Sequence, residues 1–273
     1  LQVNLKDKVV IVTGGTAGIG AATAIEFAKE GCKVCVCGHT DKRLEEFRAQ
    51  CRELGYEIDA FKCNIGDPAE EKAFIDAVAE RYGRIDVLVN NAGTNRAAEL
   101  TDVTDELWAS LIDINLTSVW RITKFTVPYF KKQGGGVVIN NTAFSGLIAQ
   151  AESGPYAVAK SGEIALTKVF AAELAPFNIR VNGVAPGVIM TPLMRSHLSS
   201  ADDLNYRLAQ VPMNRPADPA EVGSVIVFLA SDSASYITGE IIPITGGKYA
   251  VQDRRTPWQR HKPDELDNGA KFM

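Results

Sequence analysis

Lys8-Val9-Val10-Ile11-Val12-Thr13-Gly14-Gly15-Thr16-Ala17-Gly18-Ile19-Gly20 begins as a β-branched run and ends in glycine. The run reads as a short strand buried on both faces, because a parallel strand covered by helices on two sides keeps no polar alternation. The chain then passes into a helical stretch, Ala21 to Glu30. Strand, glycine-rich turn and helix in that order make a cradle for a diphosphate. Glycine lets the backbone approach the anion, and the helix N-terminus presents free N–H groups and a positive dipole end. This assigns Gly14, Thr16, Ala17, Gly18, Ile19 and Gly20 to the cradle.

Outward from that unit, strands and helices alternate. The second strand is Lys33 to Cys37, followed by Gly38-His39-Thr40-Asp41 and a helix to Leu54. A third strand, Glu57 to Cys63, ends at Asn64-Ile65, and Asp67-Pro68 supplies an N-cap and a proline at the first helical position. Ile85 to Val89 is the fourth strand and runs into Asn90-Asn91-Ala92-Gly93. A long helix over 104–132 contains Asn115. Gly136 to Asn140 is a fifth strand, and a helix over 155–176 follows. Ile179 to Val184 is a sixth strand, succeeded by Pro186-Gly187 and a long segment through Met213. A helix from Ala220 to Ala230 and a strand from Ile241 to Ile244 complete the series. The alternation predicts an α/β fold: a single doubly wound parallel sheet of about seven strands with helices on both faces. Ligands of such sheets sit at the carboxyl ends of the strands, where Gly14, Gly38, Asn64, Asn90, Asn140 and Pro186 all fall.

The end of the second strand is where a dinucleotide's adenosine ribose is read. An acidic residue there would accept from the 2′-hydroxyl and repel a 2′-phosphate. Here the position is Gly38, then His39 and Thr40, with Lys42 and Arg43 slightly later. That leans towards NADP over NAD.

Composition sets the outer limits. The 273 residues are 46% hydrophobic and 23% charged, an ordinary globular balance sufficient for one large domain, expected over 1–250. Residues 251–273 are polar and irregular and read as a tail, either loose or packed on a partner subunit. A formal net charge of −4 argues against a dedicated nucleic-acid binder. No apolar run reaches membrane-spanning length and no signal-peptide core is seen, so the expected place is the cytoplasm, with no membrane partner. The five cysteines are odd in number and lie without a matching histidine cluster, which favours free thiols over disulfides or a metal site.

Tyr156-Ala157-Val158-Ala159-Lys160 places a phenol and an ammonium on one helix face, a turn apart. A nearby ammonium favours the ionised phenol. With Thr13-Gly14-X-X-X-Gly18-Ile19-Gly20, Asn90-Asn91-Ala92-Gly93, Asn115 and Pro186-Gly187-X-X-X-Thr191 in the same order, the chain resembles the short-chain dehydrogenase/reductase family from Leu5 to Gly247. The segment Gly239 to Gly247 resembles that family's last strand. The resemblance implies a Rossmann-type sheet and NAD- or NADP-dependent hydride transfer between nicotinamide C4 and an alcohol or ketone carbon. It implies that Tyr156 is the general acid in reduction and the general base in oxidation. Lys160 would lower the phenol's pKa and hold the nicotinamide ribose, and Asn115 would hold a water in a proton relay. Asn64 and Ile65, the Asn90 and Ala92-Gly93 backbone, Pro186-Gly187, Ile189 and Thr191 would complete the cofactor site. Family members pair the helices over 104–132 and 155–176 across a twofold axis, so a homotetramer or dimer is expected. The excess of apolar residues on those helices, Trp108, Trp120 and Val169 among them, agrees.

Two departures matter. The family carries a catalytic serine at the end of the fifth strand; counting back from Tyr156 or forward to Gly146, that position is Ala143. A methyl cannot donate to a substrate oxygen. Ser145 ranks first as a stand-in, two residues on and facing the same side if the strand continues; Thr142 and Ser153 are the other hydroxyls within reach. Asn64 stands where many relatives carry an aspartate. A protein of this fold that binds cofactor with little catalysis is the alternative reading, and Ala143 is its support. Substrate selection is expected from Ala143, Phe144, Arg96, Met194 and His197, with a sugar or polyol derivative, a 3-oxoacyl compound and a steroid-like ketone all open.

Overall fold

The computed structural model describes residues 3–148 and 153–250, and of His197 only the backbone. The expected tail over 251–273 lies outside the described residues. Seven strands form one parallel sheet: β1 (Val9–Val12), β2 (Lys33–Gly38), β3 (Ile58–Lys62), β4 (Val87–Asn90), β5 (Gly136–Asn141), β6 (Ile179–Pro186) and β7 (Ile241–Ile244), in spatial order β3-β2-β1-β4-β5-β6-β7. All six neighbouring pairs are parallel. The order reverses between β1 and β4, which opens a crevice at their carboxyl ends.

The helices are α1 (Gly18–Lys29), α2 (Asp41–Glu53), α3 (Pro68–Tyr82), α4 (Asp105–Ile112), α5 (Ser118–Gln133), α6 (Phe144–Leu147), α7 (Gly154–Leu174), α8 (Pro192–His197), α9 (Ala201–Leu208) and α10 (Pro219–Ala230). Strand alternation divides the core in two. Val10, Val12, Val34 and Val36 face Phe27, Leu44, Phe47 and Ile226 of α1, α2 and α10. Val9, Ile11, Cys35 and Cys37 face Phe74, Ile75, Ile122 and Leu174 of α3, α5 and α7. Both faces are therefore covered, which is why the β1 run carries no polar residue.

The boundaries differ from the sequence reading in three places that bear on the site. First, α1 starts at Gly18, so Gly18 to Gly20 form its first turn instead of the preceding loop. Second, the helix expected over 104–132 is interrupted: a π turn at Asp113–Thr117 separates α4 from α5 and carries Asn115. Third, Ser145 lies in α6, a single helical turn, so strand alternation does not set its direction. All five cysteines are free and buried, and no cluster of metal-ligating side chains occurs among the described residues. No described helix is long and apolar enough to cross a membrane.

Candidate active site

The crevice begins at the turn after β1. Gly14 has φ +60, and a β-carbon there would stand 2.9 Å from Ala92 Cα, so this glycine is what lets the β1 and β4 turns touch. A β-carbon on Gly20 would meet the Gly14 carbonyl oxygen at 2.4 Å and Asn91 Nδ2 at 2.3 Å. Neither can yield freely, since Asn91 Nδ2 donates to the carbonyls of Thr13 and Gly14 at 2.9 and 3.2 Å. Gly20→Ala is expected to destabilise the fold by about 1–3 kcal/mol through overpacking, with weakened dinucleotide binding; thermal melting and a cofactor titration check both.

The N-terminus of α1 is built for an anion. Its N-cap Ala17 offers no side-chain hydrogen bond and its first turn has no acidic residue. By contrast α3 and α10 are capped by Asp67 and Asp218. The first N–H groups of α1 are thus left for a ligand's negative charge. Thr191 stands beside them, its Cγ2 3.3 Å from where a Gly18 β-carbon would be, while its hydroxyl accepts from the Met194 N–H at 3.0 Å and caps α8. The segments holding Gly14, Gly18 and Thr191 therefore meet in one place, and a dinucleotide's diphosphate fits their chemistry.

At the carboxyl end of β2, Thr16 closes on Gly38, and a Gly38 β-carbon would lie 3.1 Å from the Thr16 hydroxyl. His39, Lys42 and Arg43 are exposed there. Asp41 is held by Lys62 at 2.7 Å. Asn64 is exposed, its backbone N–H donating to Glu70 at 2.7 Å. Ile65 is half-buried, and the adjoining Gly66 N–H donates to Glu71 at 2.9 Å. Glu71 is fully buried and bound by Arg121 Nη2 at 2.9 Å, which ties this loop to α5.

Asn90 ends β4. It is buried, and its Nδ2 donates to Thr123 at 3.0 Å and Asn140 at 2.9 Å, so its side chain braces the sheet against α5. Ala92 and Gly93 reach the crevice edge. Asn115 is fully buried in the π turn; its Nδ2 donates to the Leu111 and Thr94 carbonyls at 2.9 Å each, and its Oδ1 accepts from the Thr94 N–H at 3.1 Å. A β-carbon on Gly93 would lie 2.8 Å from Asn115 Oδ1 and 3.9 Å from Lys160 Nζ, so Gly93, Asn115 and Lys160 converge.

Tyr156 and Lys160 occupy the first half of α7, with Nζ 5.8 Å from the phenol ring centre. Lys160 is 3% exposed and donates to the Asn141 carbonyl at 2.8 Å and to Glu163 Oε2 at 2.7 Å. Sequence reasoning missed Glu163, which is 0% exposed. Burial pushes its carboxyl up to about 7, against the pull of Lys160. Lys160 pulls the phenol's pKa down, as expected, but burial outweighs that pull. Burial raises Tyr156 above its ordinary value, Lys160 opposes that, and Glu163 adds to it.

Among the expected substrate residues, Ala143 and Phe144 are buried, at 8% and 7% exposure, beside the start of α6. The Phe144 ring meets Tyr249 edge-on at 6.5 Å and lies 4.9 Å from Lys248 Nζ, two further residues that the sequence did not flag. Met194 is half-buried, Arg96 is exposed, and the side chain of His197 is outside those described. Pro186 and Ile189 are buried, and Gly187 lies against Thr245, where a β-carbon would come within 3.2 Å of its Cα. A cavity of about 310 Å³ opens at the opposite, amino-terminal edge of the sheet, between Lys8, Arg84, Asp86 and Arg180. Its charged groups pair with one another or with carbonyls, and it is remote from this constellation.

Residues 14–248 match the family model described as enoyl-(acyl carrier protein) reductase. The chain is 40% identical over 243 residues to a 3-oxoacyl-[acyl-carrier-protein] reductase of Thermotoga maritima, covering 89% of this chain and 98% of that protein. It is 34% identical over 254 residues to levodione reductase of Leifsonia aquatica, covering 90% and 95%. A crystal structure of a variant actinorhodin polyketide ketoreductase with NADPH superposes with a TM-score of 0.85 at 33% identity, covering 89% of this chain and 97% of that one. With the strand order, the α1 cradle and the Tyr156–Lys160 pair in the same frame, the chain belongs to the short-chain dehydrogenase/reductase family and is an oxidoreductase acting on CH–OH or keto groups.

Proposed function

We propose that the protein reduces a ketone with NADPH, reversibly, with Tyr156 as the proton donor to the substrate oxygen. The observation that carries this reading is the convergence of Lys160, Asn115 and Gly93 beside Tyr156, at the same sheet edge as the uncapped N-terminus of α1. The dinucleotide, when bound, supplies the hydride. Tyr156 gives its O–H proton to the oxygen that becomes the alcohol, and Lys160 holds positive charge near the resulting phenolate. Asn115 fixes the Thr94 segment against the π turn through both ends of its amide, which keeps Gly93 at its distance from Lys160.

The NADP preference rests on Gly38 standing where an acidic residue would read the ribose, with His39, Lys42 and Arg43 exposed beside it, Lys42 lying 3.8 Å from Glu46 and Asp41 paired with Lys62 at 2.7 Å. A 3-oxoacyl thioester is the first substrate to try, from the named activity of the Thermotoga relative. Trp108, Trp120 and Val169, exposed at 41%, 42% and 52%, support pairing of α4, α5 and α7 in a homo-oligomer. The test is loss of reduced-nicotinamide absorbance across a panel of 3-oxoacyl thioesters and cyclic ketones. The expected result is turnover with NADPH at least about tenfold more efficient than with NADH, a gap of about 1.4 kcal/mol. Firm cofactor binding without turnover on any ketone would instead favour a binding protein.

A further inference from the structure

Glu163 sits on the sheet-facing stripe of α7, in line with Ala159, Thr167 and Ala171, all buried. An apolar side chain would fill that place and stabilise the packing. Taking a carboxylate out of water instead costs several kcal/mol, which only good partners offset. Among the described residues the Glu163 carboxylate has one partner, Lys160, through Oε2 at 2.7 Å. Its Oε1 is buried and has no hydrogen bond among the described residues. Lys160 in turn has its ammonium drawn towards Glu163 and the Asn141 carbonyl.

We propose that Glu163 is a positioning residue of the proton-transfer centre: its buried carboxylate anchors the Lys160 ammonium and keeps the proton on Tyr156 into alkaline solution. The proposal rests on the reading of Tyr156 as proton donor. A negative charge at Glu163 makes a proton harder to remove from the Tyr156–Lys160 pair, whichever of the two releases it. The directions agree, since Glu163 raises both Tyr156 and Lys160.

The other described charges near α7 do not compete. The main elements packed against it are β6, α6, α4, the π turn and the turn at Ala175–Phe177. Arg180 of β6 is bound to the carbonyls of Leu229 and Ser231. Asp113 of the π turn pairs with Arg121. Asp105 and Glu106 are exposed at the start of α4. Neither α6 nor the Ala175–Phe177 turn carries a charged side chain, and the facing Asn141 carbonyl and Asn115 amide are neutral. Among the described residues, only Tyr156, Lys160 and Glu163 act on one another's ionisation.

The test is a pH titration of phenolate absorbance in the cofactor-free protein, with Tyr156→Phe subtracted in each background to isolate Tyr156. Glu163→Gln keeps the shape and an acceptor but removes the charge, and is expected to move the Tyr156 transition down by at least about one pH unit. The alkaline limb of ketone reduction should move the same way. Superimposed transitions in folded wild type and variant would overturn the proposal. Should Glu163→Gln not fold, Glu163→Asp takes its place: drawing the carboxylate one methylene back from Lys160 is expected to move the Tyr156 transition down, and a transition superimposed on that of the wild type overturns the proposal. Because the titration needs no turnover, its failure is separate from that of the proposed function, which falls if Tyr156→Phe still reduces ketones.

Discussion

Tyr156→Phe is expected to lower kcat for ketone reduction by about 10²- to 10⁴-fold, the range that a positioned general acid supplies, while dinucleotide affinity changes little. The variant is a clean probe because the phenol hydroxyl makes no hydrogen bond among the described residues, so deleting it orphans no buried partner. The ring stays, and with it the contact to Lys160. Lys160 is a poorer probe, since removing its ammonium leaves Glu163 buried without a counter-charge and confounds catalysis with stability. Steady-state kinetics beside a fluorescence titration of cofactor separates the two quantities. A Tyr156→Phe protein that turns over within a few-fold of wild type would remove the phenol from the chemistry.

Much of this site could be read from residue types, and the misses fall where helix boundaries, register or tertiary packing decide. The β1 run is legible because Val9 to Val12 are β-branched and flanked by a lysine and glycines, which leaves a buried strand as the simple solution. The cradle is legible for the same local reason, although its boundary with α1 is not. Glycine is a poor helix former, so nothing local announces that α1 already begins at Gly18. Glu163 escapes because a glutamate on a helix ordinarily faces water. Its inward direction follows only from register, with Ala159, Thr167 and Ala171 on the same stripe, and that pattern was available in the sequence. The π turn around Asn115 has no comparable signature. It arises from tertiary demand, as the Asn115 amide reaches across to Thr94 while still bonding back to Leu111. Lys248 and Tyr249 come to Phe144 from the far end of the chain, through packing that no local pattern encodes.

Ser145→Ala is expected to cost about 2–4 kcal/mol of transition-state stabilisation, the usual loss for one hydrogen-bond donor to a developing oxyanion. The structure narrows the hydroxyls that could replace the serine missing at Ala143. Thr142 is engaged, donating to the Val184 carbonyl at 2.7 Å. Ser153 is held against Ala98 by a backbone bridge ahead of α7. Ser145 is 7% exposed, in the single turn of α6 that also holds Phe144, and its hydroxyl makes no hydrogen bond among the described residues. Its direction comes from that helical turn and not from an extended strand, since Ala143 is the last extended residue, with φ −158 and ψ 157. Restoring the serine gives the complementary arm. Ala143→Ser in the Ser145→Ala background should recover most of the lost kcat, whereas Ala143→Ser alone should change turnover by no more than a few-fold, because a donor is already present. The four proteins form a double-mutant cycle in which the two hydroxyls substitute for each other. If Ala143→Ser alone raises kcat about a hundredfold and Ser145→Ala is silent, Ser145 is not the donor. Tyr156 then carries the substrate oxygen without a second hydroxyl.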